Sequence, residues 1–240
     1  TGETVKYING RVPVILNIAE GATKDALFWA KKAEELGASG LMILPPMRYA
    51  ADAREVVTYF KTVANSTKLP MMIYNNPVDY KTLVTIDMFA ELAECENIQA
   101  IKESTRDISN VTRMINRFGD RFQLLCGVDT LALEELLMGA VGWVAGLVCA
   151  FPKETVVIYN LVQEGKIEEA WAAHQMMTTA NFAVDSKVAG FLCGGLNRQV
   201  EHHLFPKLIL IECDESVMRL DNRLNKFYEL YGTAGLSLLL

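Results

Sequence analysis

Lys102 closes the apolar run Ile98-Gln99-Ala100-Ile101-Lys102. By the two-residue period of a strand, Ile98, Ala100 and Lys102 share a face, so the ammonium is expected on the side that its apolar neighbours bury. Taking an ammonium out of water favours its neutral form, and a neutral primary amine is a nucleophile toward a carbonyl. The small Ala100 leaves space beneath it. A lone lysine can equally pack its stem and carry its head to solvent, so the chemistry requires a second group. Tyr74, near the end of an earlier strand-like run over residues 70–77, supplies one. A phenol beside a cation can shuttle protons.

The elements between these residues make one βα unit: a turn-prone stretch, a helical pattern over residues 85–95 and a short connection. Successive parallel strands end at the same rim, so the phenol and the amine are expected at one site. The same alternation runs along the chain. Residues 12–17 read as a strand, and Thr23 as the cap of a helix with Ala26, Leu27, Ala30, Ala33 and Leu36 on its apolar stripe and Gly37 at its end. A strand over residues 40–44, stopped by Pro45 and Pro46, leads to a helix that buries Val56, Val57, Phe60 and Val63. Beyond Lys102, Ile108, Val111, Met114, Ile115 and Phe118 mark a helix closed by Gly119. Strands over 122–126 and 142–146 alternate with helices over 131–138 and 153–163. About six βα units of this length imply a parallel sheet.

Composition narrows the function classes. The net charge of -6 comes without a Lys/Arg block, which argues against nucleic-acid binding. The longest apolar run, residues 140–152, is short of the roughly 20 residues of a spanning helix, so no membrane partner is expected. Five cysteines without a CxxC pair fit reduced thiols and a cytoplasmic location. The chain opens on Thr1 without a charged-then-apolar leader, so no secretory signal is expected and the sequence reads as a fragment.

Several motifs together resemble one family. They are Tyr74-Asn75-Asn76-Pro77, Ile101-Lys102-Glu103-Ser104-Thr105, Leu44-Pro45-Pro46-Met47-Arg48-Tyr49, Gly127-Val128-Asp129 and Gly139-Ala140-Val141-Gly142. This wording resembles the dihydrodipicolinate synthase and N-acetylneuraminate lyase family over residues 1 to about 170. It is nearest to the dehydratase and deaminase branch, which includes enzymes acting on a hydroxyproline-derived pyrroline carboxylate. The resemblance implies a TIM (β/α)8-type barrel, incomplete at its N-terminus, in which Lys102 forms a Schiff base with a small 2-oxo acid. By the same resemblance Tyr74, Thr1 and Tyr49 join Lys102 as catalytic residues, and Gly2, Asn75, Asp129 and Gly146 bind substrate. Thr1-Gly2-Glu3 matches the end of the family's second-strand motif. No cofactor or metal is implied, and a homo-oligomer is compatible with the family. Asp79 stands where the family's synthases carry a carboxylate-binding arginine, and an anion there repels a second carboxylate.

The tail differs in character. His174-Gln175 and the run from Gly194 to Pro206, with Gln199, His202 and His203, resemble the third histidine box of front-end fatty acyl desaturases. The chain has three histidines, too few for a di-iron cage. The expected organisation is therefore a partial barrel over 1–172 and an atypical, mostly helical segment over 173–240, fused or recombined. Within that segment residues 208–213 read as a strand suited to covering a barrel edge. The leading functional expectation is a Schiff-base lyase on a small 2-oxo acid or cyclic imine carboxylate. The alternatives are an inactive truncated or chimeric barrel and, more remotely, a metal-dependent desaturase-like protein.

Overall fold

A computed structural model describes residues 1–46 and 51–179. Two compact units divide the chain, residues 1–144 and 145–240. The first is built on a six-stranded sheet, and every pairing in it is parallel. Its strands are β1 (Ile15–Ile18), β2 (Gly40–Ile43), β3 (Met71–Asn75), β4 (Ile98–Glu103), β5 (Gln123–Cys126) and β6 (Gly142–Trp143), and spatial order follows chain order. A sheet of this kind, each strand returning through a helix, is a parallel half-barrel. The connecting helices are α2 (Thr23–Glu35), α3 (Ala53–Ala64), α5 (Ile86–Leu92), α6 (Ser109–Phe118) and α7 (Ala132–Leu137), preceded by α1 (Gly2–Ile8) and interrupted by the single turn α4 (Pro77–Tyr80).

Local chemistry explains the boundaries. Asp52 caps α3 in a capping box, accepting from the Glu55 N–H at 2.8 Å while the Glu55 carboxylate accepts from the Asp52 N–H at 3.0 Å. Thr85 caps α5. Gly119 ends α6 with φ near +58°, a conformation that a side chain disfavours. Thr23, expected as a cap, is instead the first residue of α2, behind Ala22.

The core lies between the sheet and its helices. Ile43, Ile73, Ile101 and Leu124 from the strands meet Ala30, Phe60, Phe89 and Val111 from the helices, all buried. On the other face Met42, Met72, Tyr74, Ala100, Lys102 and Leu125 are half-buried, and among the described residues the six strands do not close on themselves. Among the described residues β1 pairs only with β2, and Val12 and Ile15 beside that edge are exposed.

In the second unit, α8 (Pro152–Gln163) and α9 (Ile167–Thr178) pack on each other. The boundary expected between 172 and 173 falls inside α9, and His174 is buried on that helix. Gln199, His202, His203 and the strand expected over 208–213 lie outside the described residues. No helix among the described residues is long and apolar enough to cross a membrane.

Candidate active site

Tyr74 and Lys102 are register partners on β3 and β4, one residue short of each strand's C-terminal end. Lys102 Nζ lies 4.0 Å from the centroid of the Tyr74 ring, over its face rather than at its hydroxyl. The ring's negative face attracts the ammonium. Tyr80 packs edge-on against Tyr74 at 5.6 Å and 75°, which fixes the ring from another side. The Tyr74 hydroxyl accepts a hydrogen bond from Asn76 Nδ2 at 3.2 Å, and the same nitrogen donates to Asp79 Oδ2 at 2.7 Å. The Tyr80 phenol titrates above its usual range, chiefly because it is buried and further because Tyr74 and Asp79 are near.

The faces of β4 differ from the sequence expectation. Met71 pairs with Ile98 but Met72 pairs with Ala100, so Gln99 is an extra residue in a bulge. Ile98 therefore turns toward the helices with Met71, while Ala100 and Lys102 share the more open face. The strictly buried side of this strand carries Ile101 and Glu103 instead.

Glu103 anchors the segment that follows the lysine. Its Oε1 accepts from the Thr105 N–H and its Oε2 from Asn110 Nδ2, both at 2.7 Å. Burial raises the titration of this carboxyl, and those hydrogen bonds partly offset the rise. The parallel ladder also continues past the strand ends, with Ser104 N–H donating to Asn75 O at 2.9 Å and Gly127 N–H to Glu103 O at 2.7 Å. Ser104 is buried, and its hydroxyl has no hydrogen-bond partner. Gly127 makes room beside the lysine: a Cβ there would collide with Ser104 Oγ and stand 2.8 Å from both Cγ and Cε of Lys102.

The remaining expected site residues fare differently. Asn75 is fully buried, and its amide is spent on Val84, donating to the carbonyl at 3.1 Å and accepting from the N–H at 3.0 Å. Its side chain braces the β3–α5 connection. Thr1 and Gly2 do not end a strand. Thr1 is the exposed N-cap of α1, and a Cβ on Gly2 would come within 3.1 Å of Leu36 Cδ2. Leu36 leads into the N-terminal end of β2, whereas Lys102 lies at the C-terminal end of its strand, so Thr1 and Gly2 sit toward the opposite rim. Asp129 follows β5 and accepts from Trp143 Nε1 at 3.1 Å, tying that loop to β6. Gly146 belongs to the second unit, where it precedes the 3-10 turn Leu147–Cys149. Tyr49 lies outside the described residues. Asn76, Tyr80, Ser104 and Gly127 were not singled out as site residues from sequence, although Asn76, Ser104 and Gly127 stand inside the motifs that were.

A lysine and a tyrosine on adjacent strand ends of a parallel half-barrel define a class of site, and the sequence identifies the family. The chain belongs to the dihydrodipicolinate synthetase family, which it matches over residues 1–186. It is 31% identical over 181 residues to the 4-hydroxy-tetrahydrodipicolinate synthase of Thermodesulfovibrio yellowstonii, an alignment covering 75% of this chain and 62% of that one. To the corresponding synthase of Aquifex aeolicus it is 33% identical over 171 residues, covering 71% and 58%. The crystal structure of dihydrodipicolinate synthase from Aquifex aeolicus superimposes with a TM-score of 0.70 at 27% identity, over 97% of this chain and 80% of that one. The chain thus spans about three fifths of the length of these curated relatives.

Proposed function

We propose that this chain is a Schiff-base-forming lyase for a small 2-oxo acid or a cyclic imine carboxylate, with Lys102 as nucleophile and Tyr74 as proton carrier. The observation that carries the reading is the register pair Tyr74 and Lys102, with Gly127 keeping space beside the lysine stem. Neutral Lys102 would add to the ketone carbon to give a carbinolamine. Tyr74 would pass a proton to the departing hydroxyl, water would leave, and the protonated imine would accept the electron pair of a bond broken at the neighbouring carbon. The resulting enamine would be protonated and the imine hydrolysed, returning the lysine. No step draws on a metal or organic cofactor.

Asp79 supports the choice of branch. Its carboxylate and the Tyr74 hydroxyl are bound by one nitrogen of Asn76, so an anion stands close to the phenol. A substrate with a second carboxylate near that point would be repelled, which favours a monocarboxylate over the substrate of the synthases. A second reading, a partial barrel without an assembled site, is favoured by the position of Thr1 and Gly2 on α1. Incubation with pyruvate and borohydride, followed by peptide mapping, separates the two. The lyase reading requires a reduced adduct on Lys102, and a folded sample that labels elsewhere or not at all supports the second.

A further inference from the structure

We infer that Asn76 is a positioning residue that aims the Tyr74 proton toward the carbonyl attacked by Lys102; this rests on the lyase reading above. The side chain is 4% exposed and every polar atom of its amide is engaged. The Asp79 N–H donates to Oδ1 at 3.2 Å, and a backbone N–H only donates, so the atom facing it is the oxygen. The nitrogen is thereby turned to Tyr74 and to the Asp79 carboxylate, to which it donates at 3.2 and 2.7 Å. Both of its hydrogens are then in use.

The consequence lies in the direction of the phenol. Since its oxygen accepts from Asn76 on the α4 side, the Tyr74 hydroxyl turns its own hydrogen away from that turn. The ring cannot compensate by swinging, because Tyr80 packs on it edge-on and Lys102 lies over its face. Asp79 acts one bond further out, holding the Asn76 amide so that it presents a donor and never an acceptor. An acceptor in place of Asn76 would draw the hydrogen back toward α4, and proton transfer depends steeply on such alignment.

Substitution separates this role from the capping of α4. Asn76→Ser keeps an oxygen that can accept from the Asp79 N–H but cannot reach Tyr74 with a donor. Asn76→Asp keeps the shape and removes the donor. Each variant is made alone and with Tyr74→Phe, and the rate of pyruvate trapping on Lys102 is read beside thermal unfolding. Both single variants are expected to trap about 10- to 100-fold more slowly, with Asn76→Ser unfolding near the parent temperature, and neither should add to the loss from Tyr74→Phe. Parent-like trapping by Asn76→Ser, or losses that multiply with Tyr74→Phe, overturns the inference. Should the unaltered chain trap no pyruvate, the lyase reading fails by itself. The amide orientation is then read by NMR: Tyr74→Phe should shift one Nδ2 proton of Asn76 and hasten its exchange, and an unchanged pair of resonances overturns the inference.

Discussion

Gly127 lies against the stem of Lys102, with room for a hydrogen and none for a methyl group: a Cβ would stand 2.8 Å from two carbons of the lysine and collide with Ser104 Oγ. Its backbone is not in the left-handed region, so the requirement is one of space. Gly127→Ala is therefore expected to displace Lys102 or the β5 end, costing about 1–3 kcal/mol in stability. Pyruvate trapping should fall with it. A variant with parent-like denaturation and trapping would show that the lysine stem moves aside freely.

Tyr74→Phe tests whether the hydroxyl or the ring matters. The phenyl group keeps the face beneath Lys102 and the edge contact with Tyr80, so the unfolding temperature should change little. Turnover should drop by about 10²–10⁴-fold, the usual range for a positioned proton carrier. Steady-state rates across 2-oxo acids provide the measurement, and an undiminished rate at parent stability would make the hydroxyl idle.

The order of strands and helices was legible because apolar spacing repeats faithfully: Val56, Val57, Phe60 and Val63 are all buried on α3, as their pattern required. The faces of β4 were not legible, since the bulge at Gln99 inserts a residue that leaves no mark in an apolar alternation. Pairing of Tyr74 with Lys102 followed from two consecutive parallel strands. The helical state of Thr1-Gly2-Glu3 was not legible because a short motif carries no information about its neighbours, and the following residues favour the helix Gly2–Ile8. The bracing role of Asn75 was not legible either: an amide at a strand end gives no sign in the sequence that it will engage both backbone groups of Val84. Gly127 could have been found from its place in the motif with Asp129, but its reason is a contact with residues more than twenty positions away.

Asn75→Ala should consequently act on stability before it acts on substrate. It removes both partners of the Val84 backbone in a buried place, and an orphaned buried group costs about 1–3 kcal/mol. Urea denaturation is expected to show a loss of that order or larger. If stability held while the affinity for pyruvate collapsed, Asn75 would be a substrate ligand after all.

Glu135 on α7 carries the clearest pH dependence. Its side chain is fully buried, neither carboxyl oxygen accepts a hydrogen bond of ordinary geometry, the weak Cys126 thiol donor being the one group that favours its charge, and its titration is pushed up to about 7. Burial is the main cause; the charges of Glu103 and Glu134 add to it, and the Cys126 thiol opposes it. Burial, and then Glu135 itself, push the Cys126 thiol upward as well, so the thiol stays protonated there. For an acid raised in the folded state, stability is fully present below the unfolded value near 4.5 and is lost as pH rises through about 7. Glu135→Gln imitates the neutral form and should relieve that loss. Its advantage over the parent should be near zero at pH 4 and grow to at most about 3 kcal/mol by pH 8. Urea denaturation of both proteins at several pH values measures the difference, and a gap that stays constant with pH would mean that Glu135 does not titrate between the two states.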